Sequence, residues 1–387
     1  MVAPAAVQAQ FDYTTNADGV SITITGYTGP GGAVIIPTNI NGLTVTSIGS
    51  NVFFENQSLT SVMIPGSVTN IGEYAFIECS FLTNVTMTNG LTSIGGLAFE
   101  YCASLTNVTI PGSVTTIGQA AFASGGLMNA TIPANVTNIG YEAFSFNPVL
   151  TSVTIPGSFS SGDDFNYAFE DVELTNITIA NGVTSIASSL FYDTRVTDVT
   201  IPASVTNIGE YAFESCLYLT TVTMANGLTS IGSNAFDYCY DLTNITIPGS
   251  VTNIGSNAFT ACTDLSGVFF AGNAPSIPVS SPPFNEIETI YYLPGTTGWS
   301  NTFSGRPDVL WNPQIQAGGA SFGVQNNRFG FNIAGTSDIP IVVEACTNLA
   351  SPVWTPLQSL TLTNGLVYFS EPLQTNNSGR FYRIGAP

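Results

Sequence analysis

The chain has 387 residues, 44% of them hydrophobic, and sets 25 acidic against 5 basic side chains for a formal charge of −20. It is long enough for two or three units and too apolar to stay disordered. Lysine and histidine are both missing, which excludes an imidazole base for a serine or cysteine nucleophile, a Schiff-base amine, a phosphate-cradling lysine and a histidine-ligated zinc. The charge also repels phosphate backbones and anionic lipid, so neither nucleic acid nor membrane insertion is expected.

In chain order, residues 1–10 are rich in small side chains and carry Val7-Gln8-Ala9, a spacing that suits a signal-peptidase cut. They read as the remnant of an export leader. No run of about twenty apolar residues follows, as a membrane-spanning helix needs. Residues 11–44 hold Phe11-Asp12-Tyr13, Ser21-Ile22-Thr23-Ile24 and Ala33-Val34-Ile35-Ile36 between glycine-rich turns. These are short strands, expected to cap what comes next.

From residue 45 to residue 273 one phrase of 22–24 residues recurs, its copies starting at Val45, Val68, Leu91, Val114, Val136, Phe159, Val183, Val205, Leu228 and Val251. A period in the twenties marks a solenoid. Numbered from its leucine, the phrase is L-T-N-V-T-I-P-G-S-V-T-N-I-G-x-x-A-F-x-x-C-x-x, and Leu105, Val108, Ile110, Val114, Ile117, Ala121 and Phe122 are one inward-facing set. Each large apolar side chain is worth about 1.5–3 kcal/mol when covered, and only a neighbouring coil can cover it. V-T-I predicts a strand closed by proline, as at Pro111, which removes a ladder donor. The x-x-A-F segment suits a helical or 3₁₀ turn, and the glycine at position 14 a positive φ or tight corner.

The repeated Leu-Thr-x-Val-Thr-Ile-Pro and Val-Thr-x-Ile-Gly-x-x-Ala-Phe-x-x-Cys resemble the leucine-rich repeat of the BspA-like bacterial cell-surface subclass, over about 230 residues. The resemblance implies a right-handed solenoid with parallel strands stacked along one face, in an exported adhesin or binding protein. Two coils depart from the pattern. One carries Asp163-Asp164, and the other has Ala187 in place of glycine and carries Asp193-Thr194-Arg195.

The period breaks at Ala274. Residues 274–315 read as a C-terminal cap and linker, and residues 316–387 as a small antiparallel β-sandwich with strands near Arg328–Ile333, Pro340–Ala345, Leu360–Leu362, Val367–Phe369 and Gly379–Ile384. Trp354 and Arg380-Phe381-Tyr382-Arg383 resemble modules appended to exported bacterial proteins. The fold class is therefore mainly β: a leucine-rich-repeat solenoid of about ten coils, capped at both ends and followed by a β-sandwich.

Three residue sets stand out. Cys79, Cys102, Cys216, Cys239 and Cys262 share position 21. Stacking would set their Cα atoms about 5 Å apart, inside disulfide range, but equivalent side chains point the same way, which favours buried free thiols acting as small hydrophobes.

Positions 3 and 5 share one strand face by the period of two. They hold Asn84 and Thr86, Asn107 and Thr109, Asn129 and Thr131, Ser152 and Thr154, Asn176 and Thr178, Asp198 and Thr200, Thr221 and Thr223, and Asn244 and Thr246. The plainer reading is an exposed strand surface copied by duplication; the sharper one is a face that binds a glycan, a protein or ice.

Carboxylates gather at positions 15 and 19, as Glu73, Glu100, Glu170, Glu210, Glu214 and Asp237. In the irregular coils Asp163, Asp164, Asp171, Glu173 and Asp193 are the candidate ligands for Ca²⁺, the one cofactor considered. Solvation of a low-charge solenoid is the favoured role, calcium the alternative, and no cofactor is expected.

The expected function is non-catalytic recognition of a protein or glycan by the repeat surface of a secreted or cell-surface protein. The alternative is a structural protein that self-associates into a coat or filament. An ice-binding threonine face and a carboxylate-based hydrolase rank below both.

Overall fold

A computed structural model describes residues 10–156, 167–284, 289–373 and 379–386. The leader-like segment up to residue 9, and Asp163 and Asp164, lie outside the described residues. The chain divides into two compact units. One comprises Met1–Thr243, Ser250–Leu265 and Pro275–Glu286; the other comprises Asn244–Gly249, Ser266–Ala274 and Ile287–Pro387.

The first unit opens with the antiparallel strands Phe11–Thr15 and Ser21–Tyr27, and Ser21–Tyr27 pairs in parallel with Leu43–Ile48. From there the repeat builds parallel ladders. The strands at V-T-I give one side: Leu59–Ile64 pairs with Asn84–Met87, and separately Asn107–Thr109, Asn129–Thr131 and Ser152–Ile155 pair in turn. A second side comes from two-residue strands such as Asn70–Ile71, Ser93–Ile94 and Thr116–Ile117. The polar residue and isoleucine before each glycine form these strands by bonding to the coils on either side. They are too short to stand out in the sequence.

The third side of each coil differs from the expected helical or 3₁₀ turn. Among the described residues of this unit no helix forms, and the x-x-A-F segment is a run of tight turns. Tyr74, Phe76 and Glu78 donate their N–H groups to the carbonyls of Gly96, Ala98 and Glu100 in the next coil, at 3.0, 2.8 and 2.8 Å, while Ile77 bonds back to Tyr74. Tyr74 and Glu78 sit in the left-handed region at φ 60° and 58°, and the same two positions do so in the coils at Tyr211 and Ser215. A helix would have turned these N–H groups along its own axis; turns leave every second one free to reach the neighbouring coil.

The position-14 glycines serve close approach rather than a positive φ. A Cβ at Gly95 would lie 2.6 Å from the carbonyl carbon of Gly72, and one at Gly232 would lie 2.6 Å from the backbone nitrogen of Glu210.

Inside, the predicted set is buried, with Leu105, Val108, Ile110, Val114, Ile117, Ala121 and Phe122 all at most 8% exposed. The position-18 phenylalanines stack continuously from Phe53 to Phe284, with centroids 4.8–6.0 Å apart and the widest gap between Phe169 and Phe191. Ring pairs add about 0.5–1.5 kcal/mol each beyond area burial.

In the second unit the strands Asn244–Ile247, Gly267–Phe270, Thr289–Tyr292 and Arg306–Leu310 form one parallel ladder. Parallel pairing thus runs to Leu310, beyond the last sequence repeat. Two antiparallel sheets complete the unit. One is centred on Arg328–Ala334, flanked by Leu366–Pro372. The other has the order Thr355–Thr361, Pro340–Cys346, Phe381–Gly385. Their core is Phe331, Ile333, Ile339, Ile341, Val343, Leu362 and Phe369, against which Tyr291 and Trp311 also pack. The mainly β solenoid and the C-terminal β-sandwich are both as the sequence implies.

Candidate functional site

The strand face of the coils is assembled in register. Asn107 pairs with Asn129, which pairs with Ser152, which pairs with Asn176; Thr109, Thr131, Thr154 and Thr178 pair in the same way beside them. Asp198 faces Thr221, and Thr200 faces Thr223. Alternation puts Val108, Ala130 and Val153 inward and leaves the polar neighbours on the outside. Asn84, Thr86, Asn107, Thr109, Asn129, Thr131, Asn176, Thr178, Asp198, Thr200, Thr221 and Thr223 are exposed, and Ser152 and Thr154 are half-buried. In the second unit Asn244 and Thr246 face Gly267 and Phe269.

Hydrogen bonding separates these threonines from the others in the phrase. At positions 2 and 11 the hydroxyl donates to the equivalent carbonyl of the preceding coil, as from Thr92 to Thr69 (2.9 Å), Thr220 to Thr197 (2.9 Å) and Thr229 to Thr206 (2.8 Å). Among the described residues Thr86, Thr109, Thr131, Thr154, Thr178, Thr200 and Thr223 make no side-chain hydrogen bond. One threonine set binds coil to coil; the other presents free hydroxyls. At position 3, Asn129 accepts a bond from Ser152 at 2.8 Å, and Asn107 donates to Thr106 at 3.1 Å.

The rank has an apolar start. Ile35 pairs with Met63 at its neighbour's register, Met63 faces Thr86, and both apolar side chains are exposed.

The position-21 cysteines are free thiols and fully buried. They do more than fill space. The Sγ of Cys79, Cys102, Cys216, Cys239 and Cys262 donates to the carbonyl of the preceding coil's position-18 phenylalanine, at 3.1–3.3 Å. Asn147 occupies the same position and its Nδ2 donates to Phe122 at 2.8 Å. In these coils position 21 supplies a small buried donor, whereas Val172 fills the same position with an apolar side chain. Burial pushes the thiols up, Cys79 to about 11 and Cys216 to about 12, so they are poor nucleophiles and poor metal ligands.

On the turn side Glu100, Glu170, Glu214 and Asp237 are held above their usual range. Burial and then the charge of Asp237 raise Glu214 to about 7. Burial also raises Glu100, with Glu78 and Glu142 adding to it, and Glu170, with Glu142, Asp171 and Asp193 adding to it. Asp237 is 5% exposed; its Oδ2 accepts from Asn234 at 2.8 Å and its Oδ1 has no partner.

Of the candidate calcium ligands that are described, Glu173 is tied to Arg195 at 3.0 Å. Asp171 and Asp193 interact by charge, which with burial raises Asp193. Among the described residues no three carboxylate or thiol groups are placed to share a metal ion. No helix among them is long and apolar enough to cross a membrane.

A family model described as the BspA type Leucine rich repeat region (6 copies) matches residues 46–164 and 165–282. Among solved structures, a leucine-rich repeat protein of T. pallidum is 28% identical, with 62% of this chain and 91% of that one covered and a TM-score of 0.42. A leucine rich cell surface protein of Faecalibacterium prausnitzii is 27% identical over 76% of this chain and 94% of that one, with a TM-score of 0.36. The pneumococcal vaccine antigen PcpA is 16% identical over 73% and 86%, with a TM-score of 0.38. Among curated proteins there is no match.

Proposed function

The chain belongs to the BspA-type leucine-rich-repeat family, and on that premise we propose that it is a non-catalytic recognition protein, acting outside the cell, whose strand face binds a protein or glycan. The observation that carries this reading is the rank of free threonine hydroxyls from Thr86 to Thr223. Each hydroxyl can donate one hydrogen bond and accept two, which matches the mixed donors and acceptors of a sugar or a peptide backbone. The face has one charge, Asp198, so a ligand displaces water without stripping many ions. Because the strands are packed from behind by a buried core, little side-chain or loop ordering is needed on binding. The leader-like residues 1–10 support an extracellular setting.

The test is the triple variant Thr109→Arg, Thr131→Arg, Thr154→Arg, compared with the parent chain on glycan and extracellular-protein panels after light scattering has fixed the oligomeric state. The expected result is a monomer whose binding the arginines abolish while its melting temperature holds. Ordered polymers of the parent chain, dispersed by the same variant, would instead make self-association the role of this face.

A further inference from the structure

The second unit contains a three-stranded antiparallel sheet with two edges, and they are built differently. The Thr355–Thr361 edge carries Pro356, and a register shift falls opposite it between Val343 and Glu344. Proline and bulges are the devices that stop an edge from pairing with another chain. The Phe381–Gly385 edge has neither. It pairs with Pro340–Cys346 residue for residue, without a shift. Its one charge, Arg383, is held by Glu344 at 2.6 Å and lies over the Trp354 ring at 4.6 Å. Among the described residues no backbone group of Phe381–Gly385 bonds to anything but Pro340–Cys346.

The undefended edge also borders a cleft. Residues 383–386 form one wall of a cavity of about 340 Å³, and Thr246, Phe269, Tyr291 and Trp311 line it as well. The size falls within the ordinary range for ligand pockets. Along the parallel ladder Thr246 is followed by Phe269 and then Tyr291, so rings replace hydroxyls in the outward column. Phe269 and Tyr291 stack at 4.8 Å, and Trp311 stands edge-on to Phe269 at 6.1 Å, its indole N–H donating to the carbonyl of Pro340 at 2.9 Å. The floor is aromatic and fixed, and the Glu344–Arg383 pair leaves the cleft without net charge.

We propose that the Phe381–Gly385 edge and this cleft are a docking site for an extended polypeptide segment of a partner protein, which adds as a fourth strand and seats an uncharged apolar or aromatic side chain on Tyr291 and Trp311. A strand edge offers donors and acceptors at the repeat of a polypeptide backbone, and only another backbone complements it along its length. The neutral aromatic floor selects the side chain that alternation brings inward. This site is separate from the threonine rank of the coils and stands or falls independently of it.

The probes are capped heptapeptides, Thr-Val-Thr-Xaa-Thr-Val-Thr with Xaa as Tyr, Leu or Asp, and the Tyr peptide N-methylated at alternate residues in either register. Maltoheptaose and chitohexaose serve as glycan probes. Binding to the full chain is read by tryptophan fluorescence and by amide exchange at residues 381–386. The Tyr and Leu peptides are expected to bind and slow that exchange, the Asp peptide to bind about tenfold more weakly, and one of the two N-methyl registers to abolish binding. Tyr291→Thr, which removes the ring, should weaken the Tyr peptide about tenfold. Because Tyr291 also stacks on Phe269, Tyr291→Phe is the control, expected to keep both the melting temperature and the binding. The triple arginine variant of the coil face should leave binding intact. Failure of every peptide at millimolar concentration, indifference to N-methylation, binding of the oligosaccharides alone, or pairing of two chains through this edge would each overturn the proposal.

Discussion

The turn side and the strand side of the coils are copied by the same repeats, yet they tolerate change differently. On the turn side many residues have an obligation to a neighbouring coil: a ring in the phenylalanine stack, every second N–H bonded forward, a cysteine at position 21 bonded back to a buried carbonyl. On the strand side the backbone meets those obligations, and the outward side chains carry few: single bonds such as Ser152 to Asn129 at position 3, and none at the threonines from Thr86 to Thr223 at position 5. That is why position 3 drifts through Asn, Ser, Asp and Thr. A surface free of structural duty is the one on which recognition can be built.

The contrast is broken most severely at the stack. Phe213 is fully buried between Phe191 and Phe236, so Phe213→Ala should destabilise by about 3–5 kcal/mol. Since each coil contacts only its neighbours, urea melting should also lose cooperativity. Thr200→Ala in the same coil removes an unbonded hydroxyl and should fall within about 0.5 kcal/mol of the parent. Equal losses for the two would erase the distinction drawn here.

A smaller effect is expected at position 21. Cys239→Val keeps an apolar side chain but leaves the carbonyl of Phe213 without its side-chain donor, which should cost about 1–3 kcal/mol. Cys239→Thr keeps a donor, as Thr194 does in its own coil, and should be milder in thermal melting. If valine proved the better replacement, packing alone would explain the cysteines.

The smallest effect, and one confined to the turn side, is a pH dependence. Glu214 binds its proton more tightly folded, at about 7, than at its ordinary value of 4.5. The stabilisation is therefore fully present below about 4.5 and lost as pH rises through 7. Melting temperature should rise by a few degrees between pH 8 and pH 5, and Glu214→Gln should flatten that slope. Thr154→Ala on the strand side should leave it unchanged. A melting temperature that falls on acidification would show that this carboxyl is not held above its ordinary range.

The period, the inward set and the strand at V-T-I were all legible in the sequence, because a repeat that buries one residue type per position writes its core into the letters. The helical or 3₁₀ reading of x-x-A-F was wrong for a physical reason. Alanine and phenylalanine suit a helix locally, but bonds to the neighbouring coil hold the segment in turns, with Tyr74 and Glu78 left-handed. The small-hydrophobe reading of the cysteines missed their acceptors, since a carbonyl one coil away has no mark in the sequence. Asn147 and Thr194 at the cysteine position were the available hint: polar side chains that apolar filling alone would not admit.

By itself, then, the sequence determined the solenoid, its interior and the outward direction of positions 3 and 5, since all three follow from periodicity and side-chain polarity. Tertiary structure alone decided which threonines are spent. Thr92 and Thr109 are the same residue type at positions 11 and 5 of the phrase, but only Thr92 donates its hydroxyl to a carbonyl of the preceding coil. Tertiary structure alone also set the undefended Phe381–Gly385 edge beside Tyr291 and Trp311, because strand order in an antiparallel sheet depends on long-range pairing that no local pattern encodes.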